Sequence, residues 1–145
     1  MAIEPNGPPF QNAGILGTAA ARPWGITEIP VSYLPSVVTP SQITRSVVTS
    51  VASRNFTCWQ QTSPARKLIN LAKIPVLLVT SESGDHATYD SCTADYLNQA
   101  GVATQHVNLG DRGIHGNGHM MFMEKNSDVI VSQVVEPWIS QIAHG

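Results

Sequence analysis

Apolar positions are unevenly ordered along this chain, and the order changes at about residue 65. Beyond that point the pattern is regular. Ser63-Pro64 predicts the opening of a helix through about Ala72, with Leu68, Leu71 and Ala72 on one face. Ile74-Pro75-Val76-Leu77-Leu78-Val79-Thr80 is a short, almost wholly apolar run, as expected of a strand buried on both faces of a parallel sheet. The loop Ser81 to His86 precedes a helix from about Tyr89 to Ala100, which Gly101 stops in a C′ position. Val102 to Leu109 reads as a second strand, and the glycine-rich stretch Gly110 to Gly118 as a loop. A last helix runs from about Asn126 to Ile142, with Val129, Ile130, Val134 and Trp138 at helical spacing.

Residues 5–65 show no comparable period. Prolines punctuate them at Asn6-Gly7-Pro8-Pro9, Arg22-Pro23-Trp24-Gly25, Ile29-Pro30 and Leu34-Pro35, which predicts irregular backbone. One helix is expected, from Thr39-Pro40 to about Ser53, with Thr39 as cap and Pro40 at the first helical position. So long an irregular stretch fits a lid or cap over a site better than a core. Ala2-Ile3-Glu4 looks like the end of an earlier strand. The alternation of helix and strand after residue 63 implies a parallel α/β sheet, yet two full strands are too few to stand alone. The expected organisation is therefore half of one domain: residues 1–4 a strand end, 5–65 a lid-like insertion, and 66–145 the strand-helix-strand-helix end of a sheet.

Composition narrows the functional classes. Charged residues are 12% of the 145, about half the usual share, and the net charge is −2. The densest basic group is Arg66-Lys67 with Lys73, so nucleic acid is not an expected partner. No apolar run approaches the ~20 residues of a membrane span. Met1-Ala-Ile-Glu-Pro has neither a basic region nor a long apolar one and does not read as a signal peptide. Cys58 and Cys92 fit no metal-ligand spacing; they are either a disulfide or two buried thiols, and the compartment stays open.

The chemistry concentrates in Gly113-Ile114-His115-Gly116-Asn117-Gly118-His119-Met120-Met121. A histidine on a glycine-rich loop after the last strand can reach the carboxyl edge of a parallel sheet, where open α/β folds place their sites. Two histidines four apart also raise zinc. Gly116-Asn117-Gly118 opposes the helix that would align both rings, and no third ligand is evident, so no metal is expected. The bland alternative is a turn with incidental histidines.

This loop, with Phe122-Met123-Glu124-Lys125-Asn126 after it, the Ile74–Thr80 run and the helix ending Leu97-Asn98-Gln99-Ala100-Gly101, resembles the end of α/β-hydrolase-fold serine esterases. The likeness is to a bacterial and fungal group with a G-[IV]-H-G-N-x-H-M-M signature and a Glu-Pro after the strand that follows the nucleophile, here Ile3-Glu4-Pro5. It covers nearly the whole chain but is diffuse between about residues 11 and 62. The resemblance implies that His119 is the general base and acid of a Ser-His-acid triad, and that His115 and Asn117 shape its loop. For the acid it implies Glu4 first; most α/β-hydrolases place it after the penultimate strand, which makes Glu82 or Asp85 the alternatives.

The nucleophile of that fold sits in G-x-S-x-G, and no such pentapeptide occurs here. Thr80-Ser81-Glu82-Ser83-Gly84 lacks the first glycine. The expectation is a C-terminal fragment of a carboxylic-ester hydrolase that is inactive alone, takes no cofactor, and meets a small ester substrate only with its other half. The alternative is a non-catalytic remnant serving as an interaction or structural module. Trp24 and Phe10 are candidates for an acyl pocket or for plain core. Met120 to Met123 are expected in the core, His86 at the surface rather than contributing beside the acid loop, and His106 and His144 without a role.

Overall fold

The computed structural model describes residues 1–3, 5, 7, 22–48 and 58–144. Its strands are β1 (Ala2–Ile3), β2 (Tyr33–Leu34), β3 (Arg45–Val48), β4 (Cys58–Gln61), β5 (Lys67–Leu68), β6 (Val76–Thr80) and β7 (Thr104–Asn108). Its α-helical segments are α1 (Asp90–Gln99), α2 (Ser127–Ile130) and α3 (Glu136–His144), the last two joined by a π-helical stretch, Val131–Val135. Pro137 has no N–H for the ladder and its ring crowds the carbonyl four residues back, so an irregular turn just before it is where the ladder adjusts.

The apolar run lies at the centre of a three-stranded parallel sheet of order β1-β6-β7. Ala2 pairs with Leu78, and Leu78 with His106, so the three strands share one carboxyl edge. Alternation along β6 sends Leu77 and Val79 toward Ile130 and Val134, and Val76 toward Leu97 and Val102. Leu77, Leu78 and Val79 are fully buried, which explains why the run reads as continuously apolar. Gly101 holds φ +86°, the left-handed backbone that ends α1 and that a side chain would strain. The α/β arrangement, the two strands, α1 and the C-terminal helical region thus follow the apolar pattern, and Ala2–Ile3 does join the sheet.

Two expected helices are absent among the described residues. Over 39–48 there is only a 3-10 turn at Pro40–Gln42, followed by β3, which pairs antiparallel with β4. Arg45-Ser46-Val47-Val48 ends in two β-branched residues, and pairing with β4 decides the outcome. Over 63–73 the chain forms β5 and a 3-10 turn at Leu71–Lys73. Tyr33 pairs with Leu68 in the β2–β5 ladder, and the Leu68 N–H bonds the Ala100 carbonyl, so tertiary contacts override the local helical spacing.

The described part of the proline-rich half is therefore built of two small antiparallel pairs, both tied to α1. Cys58 and Cys92 form a disulfide between β4 and α1, which settles the cysteine alternatives. Gln61 and Gln99 exchange two hydrogen bonds of 2.9 Å between the same elements. The Tyr33 and Tyr96 hydroxyls meet in the interior, where burial raises both phenols above their ordinary range. Trp24 is core, packed in the cluster that holds Tyr33, Leu68 and Tyr96. Phe10 lies outside the described residues.

Candidate active site

Two loops meet at the carboxyl edge of the sheet: Ser81–Gly84 after β6, and Gly113–His119 after β7. The Ser83 N–H bonds the Asn117 carbonyl at 2.9 Å. Glu82 spans the gap with both oxygens, one on His115 Nδ1 and the other accepting the Gly116 N–H, each at 2.9 Å. These bonds, the backbone one foremost, hold the Glu82 carboxyl below its ordinary pKa. Gly116 sits at φ +82°, a conformation that costs glycine little and lets its amide face the carboxylate.

The far side of the histidine loop has a second brace. Glu124 accepts the Gly118 N–H at 2.9 Å and a bond from the Asn117 amide nitrogen. Asn117 and Asn126 exchange amide bonds of 2.8 and 3.0 Å. Asn117 is buried, so this pairing satisfies groups that would otherwise be costly. Carboxylates on both flanks define the loop that presents His119.

His119 is exposed, and its imidazole stacks on that of His86, with centroids 5.0 Å apart and planes 23° from parallel. Asp85, His86 and His119 each bring a ligand-type atom within 4.8 Å of the others. His86 is not a surface side chain as expected: it is 7% exposed and held from below. Its Nδ1 meets Asp90 Oδ1 at 3.3 Å; Asp90 Oδ2 accepts from the Thr80 hydroxyl at 2.6 Å; and Thr80 Oγ1 lies 2.9 Å from His106 Nε2. His106 is thus part of a polar chain across the α1 face of the sheet. Burial raises the Asp90 pKa above its ordinary value, against the lowering pull of the His86 and Thr80 bonds.

The structure therefore separates the expected site residues. It brings Asp85 to His119, ties Glu82 to His115 and Gly116, and places Asn117 in the loop brace. Glu4 lies outside the described residues. Met121 is buried and Phe122 half-buried, but Met120 and Met123 are exposed, contrary to the expected core run. Asp90, Glu124 and Asn126 were not singled out from the sequence as site residues, and His86 was expected at the surface. The four-residue spacing of His86 and Asp90 around the start of a helix was the available signal for that pair. Clefts between β7 and α3, lined by Gln105, Val107 and Trp138, and beside Pro35 and Arg66, contain none of these site residues.

A histidine flanked by carboxylates at the carboxyl edge of a parallel sheet is an arrangement able to move protons for a group brought to that edge. A fungal protein described as a probable secreted lipase, phiG, from Fungal sp. (strain ATCC 74256), is 44% identical over 142 residues, 97% of this chain and 38% of the relative. The chain thus spans well under half of the curated relative it matches, and its likeness is to a lipase- or esterase-like hydrolase. No family model matches the chain. No solved structure matches it either. No helix among the described residues is long and apolar enough to cross a membrane.

Proposed function

We propose that this chain is the histidine-bearing part of a serine-type carboxylic-ester hydrolase of the α/β-hydrolase fold, acting on lipase-like ester substrates. The observation that carries the reading is the position of His119, on a doubly braced loop at the carboxyl edge of the β1-β6-β7 sheet. In this reading His119 accepts the proton of a serine hydroxyl supplied from outside these 145 residues, then returns it to the leaving alkoxide. A carboxylate steadies the imidazolium. Glu4 takes that role by resemblance. Asp85 is the alternative supported by proximity. Glu82, committed to His115 and Gly116, acts as the loop's anchor. In this reading the described residues 22–48 and 58–65, packed on α1, belong to the same domain. A secreted enzyme is in keeping with the relative's description and with the Cys58–Cys92 bridge, since disulfides persist in oxidising compartments.

The absence of G-x-S-x-G favours a second reading, a non-catalytic module, for the chain by itself. The two are separated by assaying a short-chain aryl ester with the chain alone and joined to its serine-bearing half. Joined, His119→Ala should lower kcat on the order of 10⁴-fold or more, and the replacement of the true acid nearly as far. Glu4→Gln is expected to do so and Asp85→Asn much less. Full activity of Glu4→Gln with loss in Asp85→Asn or Glu82→Gln would reassign the acid. No turnover by the joined protein would leave the module reading.

A further inference from the structure

We propose that Asp85, His86 and His119 form a chelating site for a borderline-soft dication such as Zn²⁺. Two imidazoles and one carboxylate, a ligand set that suits zinc and copper rather than calcium or magnesium, converge within 4.8 Å of one another. Zinc bonds of about 2.0–2.2 Å put tetrahedral ligand atoms roughly 3.3 Å apart, so closure asks for a shift on the order of an ångström. Asp85 and His119 are exposed, whereas His86 is buried and supplies the fixed point.

The support beneath His86 is an independent observation. Metal-binding histidines generally give their other ring nitrogen to a carboxylate, which fixes tautomer and ring orientation. Asp90 sits 3.3 Å from His86 Nδ1 and is itself held by the Thr80 hydroxyl. The ring is thereby oriented through its Nδ1. His115 is not among the three residues whose ligand atoms converge, so the pair four residues apart in the sequence is not the chelating pair. The chelating pair is 86 and 119, joined by the fold.

The site has a regulatory consequence that rests on the proposed function. A metal on His119 takes the lone pair that would accept the serine proton, so occupation silences the hydrolase rather than assisting it.

The test is calorimetric titration of the disulfide-intact chain with ZnCl₂ in a non-coordinating buffer. One equivalent should bind. His119→Gln and His86→Gln should each weaken it by at least the ~10–100-fold that loss of an outer-shell partner costs, while His115→Gln leaves it unchanged. Should His86→Gln fail to fold, imidazole NMR of the wild-type chain gives the same answer: the His86 and His119 resonances shift on zinc addition and those of His106, His115 and His144 do not. Wild-type affinity in His119→Gln, or shifts at other histidines instead, would overturn the site. Activity of the joined protein separates the two claims. Zinc that binds here without inhibiting would refute His119 as base and keep the metal site; a His119-dependent hydrolase that binds no zinc would do the reverse.

Discussion

The His86 imidazole lies almost flat against that of His119, 5.0 Å between centroids, one ring buried and the other exposed. The buried ring is pinned through Asp90 and Thr80 to the central strand β6. An exposed side chain on a glycine-flanked loop has rotamer freedom to lose, and a fixed aromatic surface beneath it removes much of that freedom before any substrate arrives. His86→Ala in the joined protein should therefore lower kcat by about 10–100-fold with little change in KM. An unchanged kcat would mean that the stack orients nothing.

Glu82 and Asp90 make opposite contributions to the pH dependence of stability. The folded pKa of Glu82 is lowered by the Gly116 amide and His115, so its contribution is present above the ordinary glutamate range, about 4.3, and is lost as pH falls through the lowered folded value. The Gly116 amide resonance should accordingly titrate with a midpoint below that range; a midpoint at or above it would show that Glu82 does not hold the loop.

Asp90 has its folded pKa raised by burial, so its contribution is largest in acid and declines as pH rises from the ordinary aspartate range, about 3.9, through the raised folded value. Asp90→Asn removes the titration. Chemical denaturation at several pH values should show the stability of the wild type, relative to Asp90→Asn, falling as pH increases over that window. A difference that grows with pH would contradict the burial cause.

The bridge between Cys58 and Cys92 closes a loop with a sequence separation of 34. Loop-closure entropy for that span is worth roughly 3–4 kcal/mol. Replacing both cysteines with alanine should lower the unfolding free energy by about that amount and loosen β4 from α1, read by denaturant unfolding and by amide exchange at Gln61. A loss below about 1 kcal/mol would show that the Gln61–Gln99 and Tyr33–Tyr96 ties suffice without it.

What could be read in advance follows from where the decisive interactions lie along the chain. β6 and α1 were legible because burial on both faces or on one face stamps a local period, as in Val76–Thr80, and because Gly101 marks a helix end by itself. β5 and β3 were misread as helix because Lys67–Leu68 and Arg45–Val48 take their conformation from partners at Tyr33–Leu34 and Cys58–Gln61, which no local pattern records. The histidine loop stood out through its glycines. Its braces did not: Glu82 lies 34 residues from Gly116, and Glu124 lies beyond the loop in a run of methionines. His86 was taken for a surface residue because, apart from its four-residue spacing to Asp90, nothing local records the bonds of Asp90 and Thr80 that hold it from beneath.

The role of His119 is open to direct measurement through the nucleophile it is held to activate. In a protein that joins this chain to the serine-bearing part that the proposed function calls for, a fluorophosphonate should label one serine rapidly. His119→Ala should slow that labelling on the order of 10⁴-fold, while His115→Ala, which removes only a loop contact to Glu82, leaves it within a few-fold. Equal labelling of the wild type and His119→Ala, or loss in His115→Ala alone, would contradict the assignment.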